Sequence, residues 1–261
     1  MKEEKKTNRN KTVQLSKQAE RTLPRGLYIT TKIGEELTAK RRIAEYVVDK
    51  YIHDFDAVLL DAGSTAELIA QEMFAKRKFL SVLTNNMGAY AAYTRAGESS
   101  KSNDDAKNIP NNGNELLISG GRYVDVYESL LGEGAISSIT NFTPNVIIIG
   151  TSGLTCDEGI FCHGSEESAV KSLLWNKATD TLLIATDWTK IGKIDAKSFG
   201  TISGFRMKAK KAVIVTSDPP KELCLEEPNR IKDFENQLRK MENEGVIVER
   251  IQNPTNLTDD V

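Results

Sequence analysis

The sequence predicts an α/β protein built on a mainly parallel β-sheet with helices on both of its faces. Short apolar runs alternate along the chain with amphipathic stretches, which is typical of repeated strand–helix units. Most of the apolar runs are continuous, as expected for strands that are buried on both faces. The predicted strands are Ala57–Leu60, Leu80–Leu83, Leu116–Ile118, Val146–Ile149, Leu182–Ala185, Ala212–Val215 and Val246–Val248.

Amphipathic spacing places helices between these strands, and Gly245 is expected to end the last one. In residues 97–114 turn formers replace the apolar pattern, so we expect a polar surface loop or insertion there. Residues 217–228 contain three prolines and are expected to form a loop before the final helix. The predicted helices are Ala39–Tyr51, Ala66–Phe74, Met87–Arg95, Glu166–Lys177 and Phe234–Asn243.

Composition excludes several classes of protein. The 261 residues are 39% hydrophobic and 28% charged, which is ordinary for a soluble globular protein. No stretch approaches the roughly 20 apolar residues that span a bilayer, and the first residues lack the apolar segment of a signal peptide. Three cysteines without a framework spacing argue against a disulfide-stapled secreted fold. We therefore expect a cytoplasmic protein that makes no membrane contact.

Charge is distributed unevenly along the chain. Residues 1–42 contain 12 basic and 5 acidic residues, although the whole chain has a formal net charge of -2. Such a segment is either a solvated tail or a nucleic-acid contact, and a solvated tail is the commoner case. The sequence predicts a basic, partly disordered segment over residues 1–37, one folded domain over residues 38–251 and a tail over residues 252–261.

The sharpest motif follows the first predicted strand and opens a helix. A glycine there lets the backbone approach a ligand, hydroxyl groups can donate, and the free N–H groups of a helix N-terminus favour an anion. The motif has neither the lysine of a P-loop nor the glycines of a dinucleotide fingerprint, so ATP and NAD are not expected. It predicts a phosphate-bearing ligand; the alternative is that a hydroxyl merely caps the helix. Its residues are Asp61, Gly63, Ser64 and Thr65.

Other predicted strand ends carry polar groups in the same topological position, where open parallel sheets bind their ligands. Lys190 could neutralise a phosphate, Asp187 could accept sugar hydroxyls, and the helical Lys171 could face the same crevice. Further candidates are Thr84 and Asn85 after the second strand, Gly120 and Gly121 after the third, and residues 150–153 after the fourth. Together they predict a small hydroxyl-rich or phosphorylated ligand.

The cysteine and histidine residues do not predict a metal or catalytic centre. Cys156, Cys162 and His163 lack the paired spacing of a structural zinc site and an evident fourth ligand. Neither His53 nor His163 has a convincing nucleophile and orienting partner. We expect no metal, no cofactor and no catalytic triad.

The ordered motifs resemble the sugar-phosphate sensor domain of the DeoR family of bacterial transcriptional regulators. The resemblance covers roughly residues 38–250, apart from the polar segment 97–114. It implies the fold shared by ribose-5-phosphate isomerase and the coenzyme A transferases, with a crevice for a phosphorylated sugar effector. The motifs are DAGST, TNN, LLISGG, Leu131-Gly132, NVIIIGTSG, EESAVK, DWTKIG and VIVTSD.

The resemblance also implies roles for the candidate residues. The DAGST motif would bind phosphate and sugar, Thr84 and Asn85 would form a second wall, and Gly120 and Gly121 would allow close backbone approach. Two departures concern the effector, because Ala66 replaces a second threonine and Trp188-Thr189 replaces a pair of small residues. Effector contacts are implied for Lys171, Asp187 and Lys190.

Typical members of this family begin with a winged helix-turn-helix, and no such pattern precedes the matching region here. The favoured interpretation is a non-catalytic phosphosugar-binding protein that acts as a homo-oligomer or through a partner. One alternative is a sugar-phosphate isomerase in which Asp187 and Lys190 serve as base and electrophile. Another is a DNA-binding repressor that uses its basic N-terminal segment.

Overall fold

The computed structural model describes residues 31–32, 34–100, 110–221 and 223–252, so most of the basic segment 1–37 and the tail lie outside the described residues. The described chain forms twelve strands, seven of them in one parallel sheet of order β12-β11-β9-β6-β1-β2-β3. The strands are β1 Ala57–Leu60, β2 Ser81–Thr84, β3 Glu115–Ile118, β4 Arg122–Val124, β5 Ser129–Leu131, β6 Val146–Ile149, β7 Gly153–Thr155, β8 Gly159–Cys162, β9 Thr181–Thr186, β10 Lys197–Gly200, β11 Lys211–Ser217 and β12 Ile247–Ile251.

Helices cover both faces of this sheet, which confirms the predicted fold class. In β1 the side chain of Leu59 packs with one buried cluster, whereas Val58 and Leu60 pack with the other. No described helix has the length and apolar character that a membrane crossing requires. The helices are α1 Leu37–Tyr51, α2 Ser64–Lys76, α3 Met87–Ser100, α4 Glu133–Asn141, α5 Ser165–Asn176, α6 Ile202–Phe205, α7 Leu223–Glu226 and α8 Pro228–Asn243.

Two predicted boundaries were wrong. Helix α3, which was predicted to end at Arg95, continues to Ser100. A short 3-10 turn occupies Pro110–Gly113, and residues 101–109 of the predicted insertion 97–114 lie outside the described residues. Helix α8 begins at Pro228 rather than Phe234, because the N–H that proline lacks would have no partner in the first turn of a helix. The predicted loop 217–228 was also wrong in part, since it contains the short helix α7. Gly245, with φ of 76°, follows the end of this helix as predicted.

Two small sheets that the sequence did not predict stand apart from the main sheet. Strands β4 and β5 form an antiparallel hairpin, and β10, β8 and β7 form a three-stranded antiparallel sheet. Strands β4 and β10 each begin with two exposed residues, so they lack the continuous apolar run that marks the main sheet. Isolated bridges join Asn86 to Ser129 and Leu154 to Ile191, so both sheets adjoin loops at the carboxyl ends of the main strands.

The strand order reverses between β1 and β6. From β1 the chain proceeds through β2 to β3 at one edge, and from β6 it proceeds through β9 and β11 to β12 at the other. The loops that leave β1 and β6 therefore diverge and open a crevice beyond the carboxyl ends of the two strands. This is the position at which open α/β sheets bind ligands.

Candidate functional site

A cavity lies at this topological switch point. Its wall includes the loops that follow β1, β2, β6, β8 and β9, together with the first turn of α2 and the end of β9. Residues of α1, of α5 and of the β4–β5 hairpin also line it, as does Lys32. The lining residues are Lys32, Lys40, Ala62, Gly63, Ser64, Thr65, Ala66, Asn85, Tyr127, Ser129, Leu131, Gly150, Thr151, Ser152, His163, Glu167, Lys171, Ala185, Thr186, Asp187, Lys190 and Lys193.

Most of the predicted site residues meet on this wall, although they come from distant parts of the chain. Those that line the cavity are Gly63, Ser64, Thr65, Asn85, Lys171, Asp187 and Lys190. They are contributed by α2, the β2 loop, α5 and the β9 loop. Ligand contact by each of them stays a prediction.

The other four predicted residues lie off the cavity wall. Asp61 is only 1% exposed and pairs with Lys171, and the hydroxyl of Thr84 donates to the carbonyl oxygen of Leu60 over 2.7 Å. At Gly121 a Cβ atom would lie 2.5 Å from the carbonyl oxygen of Leu131. This glycine therefore allows two backbone segments to pack closely, and its neighbour Gly120 has a φ of 70°.

The first turn of α2 presents backbone donors to the cavity. Gly63 is the N-cap residue, with φ of 138°, and no side chain makes a cap hydrogen bond there. Ser64 and Thr65 lie inside the first turn, so neither hydroxyl has the capping role that was the alternative in the sequence. The first N–H groups of a helix have no intrahelical partner, and the helix dipole makes this end attractive to an anion.

Lys40 is a buried cation on the cavity wall and was not predicted from the sequence as a site residue. It is 1% exposed, and its Nζ donates to the carbonyl oxygens of Lys32 and of Glu35, the latter over 2.7 Å. The same Nζ lies 3.9 Å from Oδ2 of Asp187. Burial lowers the pKa of Lys40 to about 8, and nearby Lys190 also lowers it, although Asp187 opposes the shift.

The loop after β9 places both signs of charge beside this lysine. Oδ1 of Asp187 accepts hydrogen bonds from the backbone N–H of Thr189, over 3.1 Å, and from its hydroxyl. Oδ2 of Asp187 lies 3.9 Å from Nζ of Lys190. Burial lowers the pKa of Lys193, and Lys190 lowers it further. Lys40, Lys190 and Lys193 thus outnumber the single carboxylate of Asp187 in this part of the wall.

A buried ion pair holds the loops of the switch point together. Lys171 Nζ pairs with Oδ2 of Asp61, donates to the carbonyl oxygen of Gly150 over 2.9 Å, and lies 3.5 Å from Oε1 of Glu167. The carboxylate of Asp61 keeps the pKa of Lys171 above its ordinary value, although burial alone would lower it. The pair therefore shapes the wall, and only the Lys171 partner reaches the cavity.

A histidine and a tyrosine form the wall that faces the small sheets. Nδ1 of His163 lies 2.8 Å from Oδ2 of Asp195, and the ring of His163 stacks parallel to that of Tyr127 with centroids 6.0 Å apart. Burial raises the pKa of Asp195, but the hydrogen bond and charge of His163 outweigh it and lower the pKa to about 2. In the described part of the chain, no three His, Cys, Asp or Glu side chains group as metal ligands.

One signal in the sequence could have identified Lys40. Its neighbours Ile43 and Ala44 stand three and four residues further along the helix, so Lys40 falls on the buried stripe of α1. A lysine on such a stripe needs polar partners, and these are supplied by backbone carbonyls and Asp187. No comparable pattern indicates His163 or Tyr127, because folding of the small sheets brings them to the cavity.

Comparisons with a family model and with curated proteins agree on one family. The DeoR C terminal sensor domain matches residues 35–209. The transcriptional repressor AccR of Agrobacterium fabrum is 26% identical over 147 residues, which are 56% of this chain and 51% of that protein. The glycerol-3-phosphate regulon repressor of Haemophilus influenzae is 28% identical over 146 residues, 56% of this chain and 50% of that protein.

The chain spans about half the length of these two curated relatives. Among solved structures, ribose 5-phosphate isomerase A from Methanocaldococcus jannaschii is similar, with a TM-score of 0.39 and 11% identity over 60% of this chain and 55% of that one. The match to the sensor domain covers more than half of the present chain. The protein therefore belongs to the DeoR C-terminal sensor domain family.

Proposed function

We propose that this domain binds a phosphorylated sugar or polyol in the switch-point cavity and acts as the effector-sensing part of a transcriptional regulator. The observation that carries the proposal is the convergence of the first turn of α2 with three lysines, Lys40, Lys190 and Lys193, on one cavity. Helix N-termini and ammonium groups both stabilise a phosphate. Asp187 and the hydroxyls of Ser64 and Thr65 supply partners for the hydroxyls of a sugar.

The contacts of the carboxylates at the site favour ligand binding over isomerase catalysis. Isomerisation of a sugar phosphate needs a carboxylate placed to remove a proton from carbon. Asp61 is paired with Lys171, and Asp187 accepts two hydrogen bonds from Thr189. Glu167 accepts a hydrogen bond from the backbone N–H of His163 over 3.0 Å and faces Lys171. These contacts occupy oxygens of each carboxylate and so disfavour its placement against a C–H bond of the ligand.

The regulatory part of the proposal is supported by the relatives, which are repressors by name, and one of them is the repressor of a glycerol-3-phosphate regulon. We place the effector-binding unit within residues 38–251 and expect it to form a homo-oligomer. DNA contact would come from the basic segment that precedes it or from a partner protein. The described residues do not include most of that segment.

A thermal-shift experiment on the full chain tests the proposal. The probes are glycerol 3-phosphate, ribose 5-phosphate and fructose 6-phosphate, each compared with its unphosphorylated counterpart and with inorganic phosphate. Because a ligand that binds the native state raises its stability by mass action, at least one phosphate ester should raise the Tm. An isomerase assay on ribose 5-phosphate and fructose 6-phosphate, the two probes that can isomerise, should detect no product. No shift with any ester would contradict the proposal, and turnover would make the protein an enzyme.

A further inference from the structure

Two threonines occupy equivalent positions at the carboxyl ends of β9 and β11. Thr186 and Thr216 are register partners in the parallel pair, and they are 2% and 0% exposed. Within the described part of the chain, neither Oγ1 atom has a hydrogen-bond partner. Native proteins satisfy nearly all their buried polar groups, so a buried hydroxyl without a partner calls for an explanation.

The cavity distinguishes these two residues. Thr186 lies on the cavity wall between Ala185 and Asp187, whereas Thr216 does not line the cavity. Thr186 is thus a buried, unpartnered polar side chain on the wall of the proposed binding site. Thr216 is the same residue type on the neighbouring strand and does not line the cavity, so it provides a matched control.

We infer that the hydroxyl of Thr186 hydrogen-bonds a hydroxyl group of the effector and helps decide which phosphate esters are bound. The inference rests on the proposed function and extends it to a residue that contacts the sugar or polyol part of the ligand rather than its phosphate. A threonine hydroxyl can both donate and accept, so it suits a sugar or polyol hydroxyl, which can do the same.

The charge beside Thr186 indicates which end of the ligand lies there. The adjoining Asp187 carboxylate repels a phosphate dianion but accepts a hydrogen bond from a hydroxyl. Its Oδ1 is occupied by Thr189, which leaves Oδ2 on the side of Lys40 and Lys190. The phosphate fits better where the N–H groups of the first turn of α2 and the ammonium groups of the cavity lysines can both bind it, which leaves the uncharged Thr186 for a hydroxyl. The ligand class is therefore a phosphate ester with a free hydroxyl that reaches the end of β9.

The experiment compares Thr186→Val with the matched control Thr216→Val in the full chain. Valine has the shape of threonine without its hydroxyl, and both hydroxyls lack a partner, so neither substitution should lower the Tm of the ligand-free protein. Ribose 5-phosphate, fructose 6-phosphate, glycerol 3-phosphate and inorganic phosphate are each titrated by calorimetry. For an ester that the wild type binds, Thr186→Val should raise the Kd about three- to tenfold, the range for one neutral hydrogen bond.

Three further results are expected if Thr186 contacts a hydroxyl of the ligand. Thr216→Val should bind every probe with the affinity of the wild type. Thr186→Ser should retain most of the affinity because it keeps the hydroxyl, and inorganic phosphate should bind the wild type and Thr186→Val with equal affinity. Unchanged ester affinity in Thr186→Val would overturn the inference and leave the proposed function standing. An equal loss of affinity for inorganic phosphate would overturn the inference that Thr186 contacts a hydroxyl of the ligand rather than its phosphate. Failure of the wild type to bind any of the esters would overturn both proposals.

Discussion

The carboxylate of Asp61 accepts a hydrogen bond from the backbone N–H of Gly150 over 3.1 Å and thereby joins the loop after β1 to the loop after β6. Lys171 reinforces the junction, because its Nζ pairs with Asp61 and donates to the carbonyl oxygen of Gly150. These contacts cross the switch point at which the cavity opens. The geometry of the cavity consequently depends on an ion pair behind its wall.

Substitution of Lys171 by Met should strongly destabilise the fold. It leaves the carboxylate of Asp61 buried without its cation, and breaking a buried ion pair in this way typically costs about 3–5 kcal/mol. Denaturant unfolding followed by circular dichroism measures the change. The double variant Asp61→Asn/Lys171→Met should recover part of the loss, because it removes the buried charge as well. A loss below about 1 kcal/mol in the single variant would contradict the structural role assigned to the pair.

Substitution of Ser64 by Ala should weaken ligand binding without affecting folding. Ser64 lies on the cavity wall and does not cap α2, since the N-cap residue is Gly63. We expect a three- to tenfold rise in Kd for a bound phosphate ester, about the effect of one hydrogen bond, and an unchanged Tm without ligand. Calorimetry and a thermal melt check the two parts. A lower Tm with unchanged affinity would instead indicate a structural role for the hydroxyl.

Affinity for phosphate esters should fall as the pH rises from 7 to 9. The pKa of Lys40 is about 8, so its ammonium group is charged at pH 7 and mostly neutral at pH 9. A phosphate monoester has a second pKa near 6 and keeps its double negative charge over this range. Calorimetric titrations at several pH values measure the slope.

The variant Lys40→Met is the control for this dependence of affinity on pH. It has no ammonium group to titrate at this position, so its affinity should vary less with pH than that of the wild type. Some dependence should persist, because the pKa of Lys193 is also lowered. Identical slopes in the two proteins would show that Lys40 does not contribute to binding.

Acid stability should depend on the contact between Asp195 and His163. The folded-state pKa of Asp195 is about 2, below the ordinary aspartate value, so the contact stabilises the fold above about pH 4 and its contribution is lost as the pH falls through 2. At pH 5 the variant Asp195→Asn should be about 2 kcal/mol less stable than the wild type, and the gap should narrow toward pH 2. Urea unfolding at each pH measures it, and a constant gap would contradict the assignment.

The main sheet could be predicted because its strands are buried on both faces. The runs around Ile147 and Leu183 are continuously apolar, and helical spacing lies between them. The hairpin of β4 and β5 could not be predicted in this way, because Arg122 and Tyr123 of its first strand are exposed. Its position depends on contacts between distant loops, such as the bridge between Asn86 and Ser129.

The sequence could predict the location of the site, at the carboxyl edge of the sheet, but not which side chains line it. Ser64, Asn85 and Asp187 follow strand ends and line the cavity, as that rule predicts. Asp61 and Thr84 occupy the same topological position, but their side chains are bound by the protein itself, which depends on three-dimensional packing. Lys40 reaches the cavity because α1 packs across β9 and β11, a contact between segments far apart in the chain.

The lysines of the cavity should bind the phosphoryl group of the ligand. The most direct test is calorimetric titration of ribose 5-phosphate, fructose 6-phosphate and glycerol 3-phosphate, each with its unphosphorylated counterpart, into the wild type and Lys190→Met. We expect the wild type to bind a phosphate ester at least about tenfold more tightly than its counterpart. Lys190→Met should lose most of this preference, as expected for a charge-assisted contact. Equal affinity for ester and counterpart in the wild type, or an undiminished preference in Lys190→Met, would contradict this role of the lysines.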